Sequence, residues 1–303
     1  MSPPARHVYL VDGSGYIFRA YHALPKLNRS SDGTPTGAVF GYSNMLAKLL
    51  QDTNADHLAV AFDHAKSSFR HRLYDQYKAH RPEPPSDLVP QFKLIRQATA
   101  AFNVCAIESE GYEADDLLAT YARQAAAEGA TVTIVSSDKD LMQLVGNGIS
   151  MLDPIKQRPI REKEVHEKFG VAPGKVADVQ ALCGDSIDNV PGVPGIGAKT
   201  AAELVNSYGN VENLLAHVAE IKQPKRRQAL LDFAEQVRIA KQLVLLKDDV
   251  PLPVPLTELA VQPLSREKLF PFLRDLEFKT LLNRIEARLS ASEDNARAPR
   301  LDL

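Results

Sequence analysis

From residue 8 to about 160, short β-branched and apolar runs alternate with longer stretches of helical pattern. The runs His7 to Val11, His57 to Phe62 and Thr131 to Val135 are predicted strands, and Gly37 to Asp52, Leu88 to Phe102 and Glu113 to Glu128 predicted helices. Gly129 is placed to cap the last of these helices before the third strand. Strands separated by helices form a parallel sheet with covering helices, so residues 1–165 are expected to be one α/β domain. From about 162 the strands cease. Short helices follow one another around Gly/Pro turns at 170–174 and 191–197, which predicts a helical domain over 166–289. Lysines and arginines thicken between Lys222 and Lys247, whereas Val250 to Leu264 carries four prolines and should be extended. Residues 290–303 are polar and aperiodic, the composition of a disordered tail.

Acidic residues stand immediately after the predicted strands. VYLVD ends at Asp12, LAVAFD ends at Asp63, and VTIVSSDKD supplies Asp138 and Asp140. In an open α/β sheet the carboxyl ends of the strands form the ligand crevice, so these residues converge although they are far apart in the chain. A fourth cluster, GYEADD, opens a helix. Glu113 and Asp116, three apart, share its face, and Asp115 points elsewhere unless the first turn is irregular. A lone Asp at a strand end is commonly a cap or a loop residue, and Asp32, Asp52 and Asp56 are read as turn or surface acids. Several clusters at one sheet edge are different. Two unit charges 4 Å apart repel by about 4 kcal/mol at an effective dielectric of 20, so such a gathering implies cations or raised pKa values. Without His or Cys in the clusters, hard oxygen-preferring ions such as Mg²⁺ or Mn²⁺ are expected rather than zinc.

The segments VDGSGYIFRAYHAL, AFDH, FRHRLYDQYKAHRP, GYEADD, SSDKD and GDSIDNVPGVPGIGAKTA occur in this order. With them the chain resembles the 5′-nuclease domain of bacterial DNA polymerase I, a relative of phage 5′-exonucleases and flap endonucleases, from about residue 7 to the LEFKTLL segment near 282. The resemblance implies a PIN-like α/β fold with a parallel central sheet and flanking helices, plus a C-terminal helical helix-hairpin-helix module at about 176–208. It implies two or more divalent metal ions held by Asp12, Asp63, Glu113, Asp115, Asp116, Asp138, Asp140, Asp185 and Asp188. The implied activity is structure-specific cleavage of DNA at 5′ flaps, nicks or 5′ ends, leaving a 5′-phosphate and a 3′-hydroxyl, in primer removal, replication and repair.

Lys66 to Pro85 mixes Lys66, Arg70, Arg72, Lys78 and Arg81 with Tyr74 and Tyr77, a composition that suits a single strand because cations track phosphates and rings stack bases. By resemblance this region, about 66–90, is a helical arch. Lys78 and Arg81 would then steady charge on the scissile phosphate, with Arg70 and Tyr77 on the DNA. In Asn189 to Thr200, glycines sit where the backbone turns tightly before a helix, whose N–H groups can accept a phosphate without reading bases. Gly192, Val193, Gly195, Ile196, Gly197, Lys199 and Thr200 are the expected duplex contacts, and the resemblance implies K⁺ on the hairpin carbonyls.

Composition adjusts this picture in three places. The 303 residues, 44% hydrophobic, can bury a sizeable core; with no apolar run near the roughly 18 to 20 residues of a membrane span and no signal-peptide pattern, a cytoplasmic protein without membrane contact is expected. Cys105 and Cys183 lack metal or disulfide spacing and read as small core residues. A net charge of −2 is unusual for a partner of DNA, but setting the nine carboxylates aside leaves +7 on the remainder. A monomer is expected, either standing alone or joined to a polymerase module in a longer chain, and acting on DNA that can be RNA-primed. Two rivals stand beside the nuclease: a non-catalytic branched-DNA-binding protein, and a phosphatase built on Asp12, disfavoured because Ser14 stands where a second Asp is needed.

Overall fold

The structure, a computed structural model, describes residues 6–64 and 67–297, with side chains as far as residue 291. Its sheet has six strands: β1 (His7–Asp12), β2 (His57–Ala61), β3 (Cys105–Ile107), β4 (Thr131–Val135), β5 (Ile149–Asp153) and β6 (Arg158–Ile160), in the order β3-β2-β1-β4-β5-β6. β1 runs parallel to both β2 and β4, and β4 parallel to β5; β6 returns antiparallel on the edge. Val8, Leu10 and Val11 of β1 and Val132 and Ile134 of β4 are wholly buried. That is why these strands read as continuous apolar runs rather than alternating ones. The register sets Val11 beside Val60 on one side and Val135 on the other, so the residues following all three strands emerge at the same sheet edge.

The chain folds into two compact units. The first comprises 1–15, 55–83 and 106–260, and contains nearly all of the sheet and the helical segments that follow it. Here the helix Ala114–Ala127 lies against β1 and β4 with Leu117, Leu118, Tyr121 and Ala122 fully buried, and the Tyr121 hydroxyl donates to the Val254 carbonyl at 2.7 Å. The second unit gathers 16–54, 84–105 and 261–303. Its helix Gly37–Asp52 is tied to Val89–Ala101 by Gln91, whose Oε1 accepts the Ala38 N–H at 2.8 Å, and by a buried hydroxyl contact of 2.6 Å between Tyr42 and Thr99. Each unit is assembled from three distant segments, so the compact units are not divided at a single position along the chain.

Three predicted strands and three predicted helices recur within a residue or two at each end. Asp32, Asp52 and Asp56 are ordinary partners of Arg29, Lys48 and the His7 N–H, as expected for turn and surface acids. The expected tail is corrected: the helix Lys279–Arg297 extends through most of it, and only residues 298–303 lie outside the described residues. Among the described residues no helix is long and apolar enough to cross a membrane.

Candidate metal and phosphate site

The acids that follow the strands meet in the first unit. Asp12 closes β1, and the DGSG sequence after it has no spare room: a Cβ on Gly13 would sit 2.5 Å from the Ala61 carbonyl oxygen, and one on Gly15 would sit 2.7 Å from Asp12 Oδ2. Gly15 N–H donates to Asp12 Oδ1 at 2.9 Å, and Ser136 Oγ donates to Oδ2 at 2.8 Å. Asp63 is fixed from the other side by Ser14 Oγ and the Ala114 N–H, both at 2.9 Å. The SSDKD segment folds as a chain of side-chain turns, with Asp138 N–H on Ser136 Oγ and Asp140 N–H on Asp138 Oδ1, each 2.9 Å. Gln180 Nε2 donates to Asp140 Oδ1 at 2.6 Å.

Burial and mutual repulsion leave this pocket short of positive charge. Asp12 is pushed up to about 6, first by burial and then by Asp138 and Asp63, against relief from the Gly15 and Ser136 bonds. Asp115 is raised well above the usual carboxylate range by burial, Asp138 and Asp12. Asp140 is pushed up to about 7 by burial and Asp138, with smaller contributions from Asp185 and Asp188 and relief from Gln180. These couplings bring Asp12, Asp63, Asp115, Asp138, Asp140, Asp185 and Asp188 into one field. As the side chains stand, however, no three acidic, His or Cys groups among the described residues are gathered tightly enough to ligate one ion.

The chain's own cations hold the rest of the acids. Lys78 Nζ lies 2.9 Å from Glu113 Oε2 and 3.7 Å from Asp188 Oδ2, Arg81 pairs with Asp188, and Lys139 Nζ is 2.5 Å from Asp185 Oδ2. Burial opposes the Lys78 charge, but Glu113 and Asp188 outweigh it, so its pKa is raised; Lys139 is raised likewise by Asp185. Lys78 adopts a left-handed φ of 54° while its N–H donates to the Asp188 carbonyl at 2.9 Å. A non-glycine residue held there costs roughly 1 to 2 kcal/mol, which marks a position fixed by its surroundings. Sequence reasoning missed Ser14, Ser136, Lys139 and Gln180 as site residues. Lys139 was legible, flanked by two acids in SSDKD; nothing local marked Gln180.

Four expectations are corrected. Arg70 is not on a DNA-facing surface: it is 1% exposed, and its guanidinium binds both oxygens of the fully buried Asp116, at 2.7 and 2.8 Å. Asp116 is thereby occupied by Arg70, and its Oδ2 also accepts the Glu113 N–H at 3.1 Å. Tyr77 is 3% exposed, with its ring enclosed and its hydroxyl 3.2 Å from both Glu113 Oε2 and Asp188 Oδ2 rather than on an open surface. The expected helical arch is, within the first unit, one short helix, Phe69–Leu73, followed by turns that place Tyr77, Lys78 and Arg81 on the acids; Lys66 lies outside the described residues.

The hairpin joins the helices Val176–Cys183 and Ala198–Tyr208. Gly184 and Gly192 cross so closely that a Cβ on Gly192 would lie 2.4 Å from the Cys183 carbonyl carbon and 2.6 Å from the Gly184 nitrogen. Val193 and Ile196 are buried, so their side chains anchor the turn, and of the pair only backbone can meet a ligand. Gly195, at φ 81°, Gly197 and Lys199 are exposed, Thr200 is half-buried, and the helix beginning at Ala198 has no side-chain cap on its first N–H groups.

This sheet edge and hairpin coincide with two matched family descriptions: "5'-3' exonuclease, N-terminal resolvase-like domain" over residues 7–170 and "5'-3' exonuclease, C-terminal SAM fold" over residues 171–267. The chain belongs to the 5′-3′ exonuclease family. Among its relatives is a 5′-3′ exonuclease of Aquifex aeolicus, 34% identical over 281 residues, covering 92% of this chain and 95% of that one. DNA polymerase I of Rhizobium leguminosarum is 55% identical over 286 residues, which cover 92% of this chain but 28% of the relative. The chain thus spans less than a third of that polymerase. Its fold is similar to that of T5 5′-exonuclease solved with divalent zinc ions, with a TM-score of 0.67 and 24% identity over 89% of this chain and 98% of the other. A T5 flap endonuclease in complex with DNA and metal ions has a TM-score of 0.66 at 23% identity, over 92% and 100% of the two chains.

Proposed function

We propose that the protein is a divalent-metal-dependent 5′-nuclease that hydrolyses the phosphodiester backbone of DNA at 5′ flaps, nicks and 5′ ends. The observation that carries this is the uncompensated negative field at the sheet edge, in which Asp12 and Asp140 are pushed up to about 6 and about 7. An all-oxygen donor set with excess negative charge fits hard cations, Mg²⁺ or Mn²⁺. Asp12, Asp63, Glu113, Asp115, Asp138, Asp140, Asp185 and Asp188 would hold two or more such ions; Asp116 is occupied by Arg70. When bound, paired divalent ions supply an activated water and neutralise charge on the leaving oxygen.

Lys78 and Arg81 stand on Glu113 and Asp188 and are placed to transfer their charge to the scissile phosphate. The hairpin's exposed backbone at Gly195, Gly197 and Lys199 offers N–H groups to duplex phosphates, and its carbonyls to K⁺. The protein would act in the cytoplasm as a monomer, on branched or RNA-primed DNA, alone or joined to a polymerase module. Incubating a labelled 5′-flap duplex with Mg²⁺, with and without EDTA, tests the activity: cuts near the branch that vanish with EDTA support it, and tight binding without product leaves a branched-DNA-binding protein. Lys78→Ala is expected to keep DNA binding within a few-fold while slowing single-turnover cleavage by about 10²-fold or more.

A further inference from the structure

Two buried glutamines reach Asp140, and they differ in one respect. Gln143 is fully partnered: its Nε2 donates to the carbonyls of Asp140 and Val244, at 2.9 and 3.0 Å, and its Oε1 accepts the Leu246 N–H at 3.1 Å. It ties the backbone at 140 to that at 244–246, as a structural amide does. Gln180 is 2% exposed, and its Nε2 donates to Asp140 Oδ1 at 2.6 Å, but its Oε1 has no hydrogen-bond partner. The amide cannot be turned round to find one, because that would set Oε1 against the carboxylate, acceptor to acceptor. An acceptor buried in this way carries an uncompensated desolvation cost. Among the described residues the other side-chain atoms in this condition are Ser43 Oγ, in the second unit, and His57 Nδ1, at the start of β2 and so at the sheet edge opposite the acids. Of the three, Gln180 stands on a carboxylate of the acidic site.

We infer that Gln180 is a positioning residue for the divalent ion nearest Asp140: its N–H fixes Asp140 Oδ1, and its Oε1 is the acceptor held for a hydration water of that ion. The inference rests on the metal-binding reading above. Because Oε1 is closed to bulk solvent, any donor it takes must come from inside the site. The charged side chains that act on Asp140 are Asp138, Asp185 and Asp188, which as carboxylates have no hydrogen to give. The neighbouring cation, Lys139, is taken up by Asp185 at 2.5 Å. A hydrated divalent ion supplies O–H donors there, since Mg²⁺ keeps several of its waters. The backbone also suits the role. The helix Val176–Cys183 that carries Gln180 is locked to the hairpin, with the Gly184 N–H on the Gln180 carbonyl at 2.7 Å and the Val193 N–H on the Leu182 carbonyl at 2.8 Å. The amide is thus held from behind and orients the carboxylate, as outer partners do around a metal.

The test titrates Mn²⁺ into the metal-free protein by electron paramagnetic resonance and records thermal melts in EDTA, for the parent, Gln180→Met and Gln180→Glu. Met has the same length without polar hydrogen or oxygen, and Glu has the same shape with an oxygen in place of the N–H group. Gln180→Met should bind Mn²⁺ about tenfold or more weakly. Its melting temperature in EDTA should fall by no more than about 4 °C, the effect of one hydrogen bond in a chain of this size. Gln180→Glu should reverse the order. Adding charge to an uncompensated field lowers its melting temperature in EDTA, whereas the extra carboxylate restores or exceeds the parental affinity for Mn²⁺. A side chain that only packs produces no such crossing. Equal Mn²⁺ affinity in Gln180→Met and the parent overturns the inference, and so does a Gln180→Glu variant that binds no more tightly than Gln180→Met. A Gln180→Met variant that melts far below the parent in EDTA also overturns it, since packing then accounts for the loss. A parent that takes up no Mn²⁺ sinks the metal-binding reading and this one together. Mn²⁺ binding that depends on Gln180 in this way, in a parent that never cleaves the flap, would sink the nuclease reading and leave this one standing.

Discussion

Replacing Arg70 is the sharpest test of how the site is built. Arg70 Nε donates to the Leu243 carbonyl at 2.7 Å, and its terminal nitrogens clasp an Asp116 that is 0% exposed. Arg70→Met removes the guanidinium but leaves a buried carboxylate facing an apolar chain. Breaking one side of a buried pair costs about 3 to 5 kcal/mol, most of it the uncompensated charge that remains. Adding Asp116→Asn to that variant removes the charge and keeps an acceptor for one of the two N–H groups, those of Glu113 and Lys247, that the separate carboxylate oxygens accept. The double variant should therefore regain about 2 kcal/mol, a coupling far outside additivity for independent sites. Urea unfolding of the three variants at neutral pH measures these differences. The reasoning is refuted if Arg70→Met costs less than about 1 kcal/mol and instead flattens the salt dependence of DNA binding; Arg70 would then be a DNA contact after all.

Three further outcomes follow from the geometry. Lys139→Met vacates Asp185, so Mn²⁺ should bind up to about fivefold more tightly by electron paramagnetic resonance titration, while the metal-free protein loses up to about 1 kcal/mol; an unchanged Mn²⁺ affinity would remove Lys139 from the site. Asp12 rises from an ordinary carboxylate value to about 6 on folding, so the fold favours its protonated form. Its penalty is absent below the unfolded value and complete above about pH 6, where it reaches about 3 kcal/mol. In EDTA, Asp12→Asn should therefore be more stable than the parent at pH 7.5 but not at pH 3.5, and equal differences at both pH values would contradict the assignment. Gly192→Ala should destabilise by about 1 to 3 kcal/mol because backbone atoms of Cys183 and Gly184 occupy the space, whereas Gly197→Ala, with nothing within 4 Å of its added Cβ, should be tolerated; thermal melts of the pair decide it.

Much of the sheet was legible because its central strands are buried on both faces and so read as unbroken apolar runs bounded by helices. β3, β5 and β6 escaped notice: Cys105–Ile107 is three residues long, Ile149–Asp153 alternates between buried and half-buried positions, and Arg158–Ile160 is three residues with a proline at its centre. The acids at Asp12, Asp63 and Asp138 were legible from position alone, since a parallel register delivers every strand end to one edge. What local pattern could not show was which charges neutralise which. Arg70 and Lys78 lie eight positions apart in one basic stretch, yet Arg70 is drawn inside by the buried Asp116 and Lys78 stays on the rim with Glu113. The same composition that suggests contact with single-stranded DNA serves packing at one position and chemistry at the other, and only the tertiary partner distinguishes them.

The pattern of internal pairing also explains why the acids form a field without closing into a ligand shell. Glu113, Asp185 and Asp188 each have a lysine or arginine of the chain on them, whereas Asp12, Asp115 and Asp140 have none among the described residues, and their carboxyls are pushed upward. Carboxylates left to themselves separate, because bringing two together in a partly buried pocket costs several kcal/mol on the order of the pairwise repulsion at 4 Å. A divalent cation reverses the sign of that interaction, and drawing Glu113, Asp185 and Asp188 inward would release Lys78, Arg81 and Lys139 to face the rim. A DNA phosphate arriving there would meet three freed cations at the moment the acids are neutralised. Binding of metal and binding of phosphate should therefore reinforce one another, and a site rebuilt with Lys78→Met and Lys139→Met together should lose that reinforcement even where its affinity for the metal alone increases.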